Sequence, residues 1–376
     1  MKRAYIMLAV SVFLVTSSLP VASQQQEIRP IPIVTGYTGF NATFEPNKQT
    51  LNPTLNPIFL VPLGRRFLVE AEFEMESDIE REDGVWGPKV LKKNVEYLQL
   101  DYFASRYLTV VVGRFLTPFG MFNERLHPNW IKNLQETPII FGMSHGSSTG
   151  GQLRGGIPLG RKVDLNYAAY FSTLSTTKLL EAERSAGGRW SLFFPKERFE
   201  AGFSFNRRLG PERFNAYGFD ATWNARRIPL EVRSEYARSE LGSGYWIEGA
   251  YRLNRVPRWR GFFRRSQTVV RVEQFFAPAH VEEPVGEAPM ESAKSFARQA
   301  RFSARIKARG FDAADAMTEG HGDEMLPDQD TQRVFVGWNY YLREELKVSF
   351  AYGRSFSREQ DRNIWSIGIA YRFLYW

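Results

Sequence analysis

The sequence predicts an all-β fold, a transmembrane antiparallel β-barrel of about 16 strands, with 18 as the alternative count. Three observations predict it: apolar and polar side chains alternate along many short segments, short and long connections alternate between these segments, and the chain of 376 residues has a secretory signal but no cysteine. A side-chain period of two is typical of strands. The apolar face would contact lipid in a membrane barrel and would form the core in a soluble sandwich.

The alternation is clearest near the C-terminus, in the segments 333–342, 346–353 and 366–373. The middle segment sets four apolar residues against polar or small ones: Leu346, Val348, Phe350 and Tyr352 against Lys347, Ser349, Ala351 and Gly353. Farther upstream, segment 66–76 carries a glutamate at every second position from Glu70 onward. Carboxylates in such a row cannot lie in a dry core, so this face must contact water.

Connections of two lengths alternate between the predicted strands. The strands are predicted at 33–44, 58–61, 66–76, 94–104, 107–115, 151–157, 163–171, 189–194, 199–205, 214–223, 229–238, 245–253 and 268–276, followed by the three C-terminal segments. The short connections are 62–65, 105–106, 159–162, 195–198, 224–228 and 343–345, and the long ones include 45–56, 77–93, 117–148, 172–186 and 277–330. Short periplasmic turns opposite long external loops are typical of outer-membrane barrels and not of sandwiches. The connection 254–265 departs from this pattern, because it has twelve residues on the short side.

The N-terminus predicts export. Basic residues precede an apolar run at 6–15 and small residues at 21–23, which is the layout of a signal peptide over residues 1–23. The apolar run is about half the length of roughly 20 residues that a membrane-spanning helix needs. No linker divides the remaining residues 24–376, so we predict a single barrel in the outer membrane after cleavage of the signal peptide.

Other classes of function lack their motifs. The four histidines have no HExxH spacing and the chain has no cysteine, so we predict no metal site and no cofactor. Ser144 and Ser147 lie in no GxSxG run, so we predict no enzyme activity. Because the net charge of +8 is dispersed among many acidic residues, we predict no nucleic-acid partner.

One motif resembles a known family. The run 113–120, GRFLTPFG, resembles a GxFxxPFG-like run of the phosphate-selective porin O/P family, and the residues that carry the match are Gly113, Arg114, Phe115, Pro118, Phe119 and Gly120. The ending 331–373 is also similar to the last strands of that family, although this chain adds three residues after Phe373. The resemblance implies an outer-membrane porin that is inserted by the barrel-assembly machinery and that, as in relatives, forms a homotrimer. It does not imply phosphate selectivity.

The segment 117–148 is the candidate constriction. Pro118 and Pro128 would end strand pairing and let the segment fold inward, as a loop does in related porins. Its ionisable residues are the candidate constriction residues: Glu124, Arg125, His127, Lys132, Glu136 and His145. The alternative is a solvated external loop.

The polar strand faces predict a charged interior. The candidate lumen charges are Glu70, Glu72, Glu74, Arg233, Arg252, Arg271, Arg333, Lys347 and Arg372. Both signs occur, so the sequence does not decide between anions and cations. A further set, Arg301, Arg305, Lys307 and Arg309, shares one face of the strand-like segment 299–309. We place this segment inside the external loop 277–330, as a basic ladder or a solvated face; one more strand pair would give the count of 18.

A barrel of about 16 strands encloses a lumen that is wide enough for water. The sequence therefore predicts passive diffusion of small hydrophilic solutes or ions through a barrel that contacts outer-membrane lipid. The alternative is a non-conducting structural or adhesive barrel, plugged by 117–148 or 277–330.

Overall fold

The computed structural model describes residues 31–126, 128–143, 146–177, 180, 182–210, 213–257, 259–278, 326–358 and 361–375. The predicted signal peptide and the predicted basic ladder at 299–309 lie outside these residues. Within the described ranges, no helix has the length and the apolar composition to cross a membrane.

Sixteen long strands form one closed antiparallel sheet, which confirms the predicted fold class. The strands are β1 (Ile33–Phe44), β2 (Lys48–Leu63), β3 (Phe67–Glu82), β5 (Val90–Phe103), β6 (Thr109–Leu116), β7 (Ser147–Pro158), β8 (Asp164–Ser172), β9 (Ser185–Phe194), β10 (Phe199–Arg208), β11 (Asn215–Asn224), β12 (Leu230–Ser239), β13 (Gly242–Arg252), β14 (Ser266–Phe276), β15 (Thr331–Tyr341), β16 (Leu346–Ser357) and β17 (Arg362–Tyr375). The two-residue strand β4 (Val85–Trp86) pairs only with the end of β3. Each long strand pairs with the next one along the chain.

The sheet closes between its first and last strands. β1 and β17 pair from Val34 with Tyr375 to Phe44 with Trp365. Closure leaves no exposed strand edge, so the backbone N–H and C=O groups of the wall bond to neighbouring strands, as a wall in contact with lipid requires.

The two faces of the wall differ in the way that separates a barrel from a sandwich. On β16 and β17, the apolar side chains of Phe350, Ile367 and Ile369 are 39–43% exposed, whereas their polar neighbours Lys347 and Ser349 are buried. The apolar residues therefore do not meet in a dry core. They cover the outside of the barrel, and the polar residues face its interior.

Two predicted loops are wrong because strands extend into them. Residues 45–56 were expected to form a loop, but β2 begins at Lys48. Pro53 and Pro57 lack the N–H of a ladder bond, and the pairing between β2 and β3 skips each of them together with the asparagine before it, while the pairing between β1 and β2 stays continuous. Sequence composition alone suggested a loop here because asparagine and proline are typical of loops.

The predicted loop 77–93 is also mostly strand. β3 extends to Glu82, and β5 begins at Val90. Ion pairs across the strands replace apolar contacts in this extension: Lys92 Nζ lies 2.6 Å from Asp78 Oδ2, and Lys48 Nζ lies 2.7 Å from Glu80 Oε1. A strand rich in charge has the composition of a loop, so its pairing could not be predicted from composition.

The connections meet at two ends of the barrel. One end, here called the turn end, carries the connections 64–66, 104–108, 159–163, 195–198, 225–229, 253–265 and 342–345. The opposite end, the loop end, carries 45–47, 83–89, 117–146, 173–184, 209–214, 240–241, 277–330 and 358–361. Residues 117–146, here called the inner loop, turn into the barrel.

Candidate functional site

The family-like motif starts the inner loop. Gly113 has a φ of 128°, and a Cβ atom there would overlap the carbonyl oxygen of Leu98, so only glycine fits. Beside it the Arg114 side chain is buried, and its Nε donates to the carbonyl of Val95 at 2.6 Å. Phe115 is 1% exposed and packs against Tyr170 with ring centroids 6.0 Å apart. These contacts stabilise the end of β6, where the chain leaves the wall.

The second half of the motif attaches the loop to the inner wall at β10 and β12. Pro118 follows the last strand residues, and Phe119, 4% exposed, is packed inside the barrel. Gly120 has a φ of 64° and lies so close to Glu235 that a Cβ atom would overlap the carboxylate. Its N–H donates to Ser204 Oγ at 2.9 Å. Gly120 therefore bonds directly to β10, although the two residues are 84 positions apart in sequence.

Glu235 on β12 receives the next two backbone N–H groups. Met121 N donates to Glu235 Oε2 at 3.1 Å and Phe122 N donates to the same oxygen at 3.2 Å. The carboxylate thus satisfies donors at the start of the π-helical turn Phe122–Leu126. We call this contact between Glu235 and the 120–122 backbone the proximal anchor.

Apolar packing holds the same part of the loop. Seven loop side chains form a buried cluster against the inner faces of β11 to β14: Phe119, Met121, Phe122, Leu126, Ile139, Ile140 and Met143 against Ala216, Ala237, Trp246 and Phe275. Two of the four wall residues are alanines, which leave room for the loop inside the barrel. Burial of this much apolar surface stabilises the inward position of the loop.

A second set of bonds holds the loop near β16. Lys347, which is 4% exposed, donates from its Nζ to three loop carbonyls: Asn129 at 3.2 Å, Trp130 at 3.3 Å and Lys132 at 2.5 Å. We call this contact the distal anchor. An ammonium group has three donors, and all three are used here on carbonyls that the irregular loop backbone would otherwise leave without partners.

After the distal anchor, the loop is also bonded to β13, β14 and β16. Asn133 Nδ2 donates to Glu248 Oε1 at 2.8 Å, and Gln135 Nε2 donates to Ser349 Oγ at 2.6 Å. The loop backbone is bonded as well, since Ile139 N donates to Glu273 Oε2 at 3.1 Å. The inner loop therefore crosses the barrel interior along the wall from β10 to β17.

The structure describes four of the six candidate constriction residues, while His127 and His145 lie outside the described residues. Arg125 is 43% exposed at its side chain and pairs with Glu200 of β10 at 2.8 Å. Lys132 Nζ lies 5.8 Å from the centre of the Phe122 ring, and Glu136 Oε1 accepts from Thr43 Oγ1 of β1 at 3.4 Å. The four residues are thus distributed along the loop and do not form one cluster.

Burial raises the pKa of the Glu124 carboxyl, the fourth of these residues. The positive charges of Arg189 and Arg125 oppose this shift without cancelling it. Glu124 therefore lies near the cations of β9 and of its own loop, and burial still keeps its pKa above that of an exposed glutamate.

Two of the four candidate lumen charges on β14 to β17, Arg271 and Lys347, are buried, and Arg333 and Arg372 are partly buried. Arg271 Nε lies 2.6 Å from Glu273 Oε1, and Arg333 Nε lies 2.9 Å from Glu273 Oε2. Arg271 Nη2 also donates to the carbonyl of Glu136 at 2.7 Å. The Arg372 guanidinium lies 5.0 Å from the centre of the Trp130 ring. These residues bind the loop and one another.

The remaining candidate charges lie elsewhere on the inner wall. Arg233 pairs with Glu231 at 2.9 Å, and Arg252 lies 4.9 Å from the centre of the Tyr341 ring. On β3, Glu72 and Glu74 are buried, at 2% and 8% exposure. Glu70, also on β3, accepts from Gln99 Nε2 at 2.9 Å. Within the described ranges, no group of three histidine or carboxylate side chains has the arrangement of a metal site.

Sequence reasoning missed two ion pairs on the inner wall, one between β9 and β11 and one between β5 and β7. Arg189 Nε donates to Asp220 Oδ2 at 2.9 Å, and Arg154 pairs with Asp101 and lies 3.7 Å from Glu70. All of these residues belong to strands that the alternation had identified. The alternation of apolar and polar residues could have identified Asp101, Arg154 and Arg189, because each of these charged residues follows or precedes an outward apolar residue. These apolar neighbours are Leu100, Leu153 and Trp190.

No family model matches the sequence, and no curated protein matches it. Solved structures do match the fold. OprB from Pseudomonas putida has a TM-score of 0.56 at 10% identity, over 91% of this chain and 94% of that chain. An anion-selective porin from Comamonas acidovorans has a TM-score of 0.54 at 10% identity, over 92% of this chain and 100% of that one.

A complex of Salmonella typhi OmpF with daunomycin has a TM-score of 0.53 at 10% identity, over 92% of this chain and 98% of that chain. At such low identity the likeness concerns the fold alone. The chain therefore has the porin-like architecture of a closed antiparallel barrel, with structural neighbours that are outer-membrane proteins.

Proposed function

We propose that this barrel is an outer-membrane channel for the passive diffusion of small hydrophilic solutes or ions. One observation carries the proposal: the wall is apolar outside and ionisable inside, and a loop of about thirty residues is bonded to its inner face. Charged side chains in a dry interior would be very unfavourable, so this inner face is suited to water. An inner loop that narrows a watery lumen is suited to selection by size and charge.

The solute path lies between the inner loop and β3 to β7. The charges under the loop are almost fully buried, since Arg271 and Glu273 are 1% and 0% exposed. On the side of β3 to β7, Glu72, Glu74 and Asp101 are buried as well, but Glu70 and Arg154 are 23% and 37% exposed at their side chains, and Arg125 on the loop is 43% exposed. These three accessible charges of both signs are the residues that a passing ion would meet.

Several further properties belong to the same proposal. Residues 1–23 direct export and are removed, and the barrel-assembly machinery inserts residues 24–376 into the outer membrane. The resemblance of the 113–120 motif supports a place near the phosphate-selective porin O/P family and a homotrimeric assembly, without phosphate selectivity.

Conductance of the purified, folded protein in planar lipid bilayers tests the function. Stepwise ohmic current is expected, and silence from protein whose barrel is demonstrably folded would favour the plugged, structural barrel instead. The reversal potential under a salt gradient then tests the path. Arg125→Glu should shift the permeability ratio toward cations, because it replaces an accessible positive charge. Arg354→Glu, an exposed change on β16 at the loop end, is the matched control.

A further inference from the structure

The turn end of the barrel is strongly basic. Among the residues whose side chains the structure describes, its seven connections contain thirteen lysines and arginines and three glutamates, whereas the eight connections at the loop end contain six basic and nine acidic residues. The chain as a whole carries a net charge of +8, so this asymmetry is large. It is concentrated at the end where the connections are short.

The described basic residues of the turn end are exposed. They are Arg65, Arg66, Arg106, Arg161, Lys162, Lys196, Arg198, Arg226, Arg227, Arg255, Arg264, Arg265 and Arg343. Among the described residues, none of these thirteen forms an ion pair with a carboxylate. They are distributed around the whole circumference, because every turn contributes at least one. Their charge is therefore not neutralised within the described part of the chain.

The longest connection of the turn end, residues 253–265, is here called the basic arm. It folds back onto the outer wall. Phe262 stacks on Trp338 and Tyr340 with ring centroids 5.6 Å and 5.2 Å apart, and Trp338 stacks on Phe350, which is 43% exposed on the lipid-facing side. The backbone of Tyr341 donates to the carbonyl of Arg265 at 2.8 Å, which ties the arm to the neighbouring strand.

The arm thus places aromatic and basic side chains side by side at one rim of the apolar belt. Trp259 is 77% exposed at a backbone φ of 49°, and Arg264 and Arg265 are exposed beside Phe262. Amphipathic aromatic rings lie at the level of lipid headgroups in membrane barrels. Basic side chains near that level attract anionic headgroups.

We propose that the turn end is a docking surface for the anionic phospholipid headgroups of the leaflet that it faces, and that the basic arm is its strongest part. The inference rests on the proposed membrane-spanning barrel. A planar layer of headgroups meets all seven turns at once, which matches charges spread around a ring. A linear polyanion such as nucleic acid would instead meet a single stripe.

Site-specific quenching in vesicles tests the docking surface. The chain has no cysteine, so Gly261→Cys in the arm and Gly210→Cys at the loop end each accept one fluorophore, and neither glycine has an atom within 4 Å of an added Cβ. The full-length protein is folded into phosphatidylcholine vesicles that contain a nitroxide on either phosphatidylglycerol or phosphatidylcholine, at equal mole fraction. Both leaflets have the same composition, so the result does not depend on the direction of insertion.

We expect nitroxide-labelled phosphatidylglycerol to quench the fluorophore at position 261 at least about twice as strongly as nitroxide-labelled phosphatidylcholine does. The two labelled lipids should quench the fluorophore at position 210 equally. In about 1 M KCl the preference should fall, because the Debye length shortens to about 3 Å. Arg255→Gln with Arg264→Gln should reduce it, whereas Arg213→Gln with Arg358→Gln, exposed arginines at the loop end, should not.

Equal quenching of the arm label by the two lipids would overturn the proposal, and so would a preference that the Arg255 and Arg264 variant retains. Loss of the preference in millimolar inorganic phosphate would assign the surface to free anions and would also overturn it. Conductance of the same vesicles separates this inference from the proposed function, since a silent barrel still reports its lipid preference.

Discussion

The proximal anchor can be broken by one substitution. Glu235→Leu removes the carboxylate oxygen that accepts from Met121 N and Phe122 N, at 3.1 Å and 3.2 Å. Each orphaned, buried N–H costs about 1–3 kcal/mol, so the change should destabilise the docked position of the loop start by roughly 2–6 kcal/mol. Since about 1.4 kcal/mol corresponds to a factor of ten, the middle of this range shifts the docking equilibrium by roughly a factor of several hundred.

Hydrogen–deuterium exchange with mass spectrometry measures this shift. The peptide 118–126 should lose protection in Glu235→Leu, and the peptide 129–136 should keep it, because the distal anchor does not involve β12. Glu231→Leu is the matched control on the same strand, where the carboxylate pairs with Arg233. Unchanged protection of 118–126 in a folded Glu235→Leu barrel would refute the anchor.

The other predictions concern neighbouring groups. Gly120→Ala should weaken the proximal anchor by about 1–2 kcal/mol or more, because the positive φ of Gly120 disfavours a side chain and an added Cβ would overlap the Glu235 carboxylate. Gly249→Ala is the control, since open space surrounds Gly249. Hydrogen exchange of the loop start measures the effect of both substitutions. Lys347→Met leaves three loop carbonyls without their donor, so exchange should rise at the distal anchor and stay unchanged at the proximal one. The pKa of the Glu124 carboxyl should lie above the value of about 4.3 for an exposed glutamate, so that this group gains its proton earlier as the pH falls. Arg125→Met should raise the pKa further, because it removes an opposing positive charge. Carbon-13 NMR of labelled glutamate measures both, and a Glu124 pKa equal to that of an exposed glutamate would contradict the burial.

The regular wall could be predicted from the sequence because side chains of a strand point alternately to its two faces, so apolar and polar residues alternate along the chain with a period of two. The prediction failed where composition contradicts pairing. Pro53 lies within β2, and Asp78 and Lys92 pair across charged strand ends that have the composition of a loop. An ion pair between two strands joins residues that are distant in sequence, so a local sequence pattern does not show it. The charged extensions of β3 and β5 could therefore not be predicted.

The segment 117–148 was predicted only from breaks in the strand pattern, and that pattern contains no information on its contacts. Its anchors join residues that are more than a hundred positions apart, such as Met121 with Glu235 and Lys132 with Lys347. Periodicity does not encode which inward carboxylate meets which backbone N–H. Gly120 gives one local signal, because a glycine after an aromatic residue and before a loop is suited to a positive φ.

The charges of the inner wall divide into two groups with different physical roles. Glu273 is fully buried between Arg271 and Arg333 and also accepts from the loop backbone, so removal of Glu273 leaves the buried Arg271 with only the more distant carboxylate of Glu248, at 3.6 Å. Substitutions there should disturb the folding of the loop before they change ion preference. Under the proposed channel function, we expect ion preference to depend on accessible charges such as Arg125 and Arg154, which interact with solvent as well as with their partners.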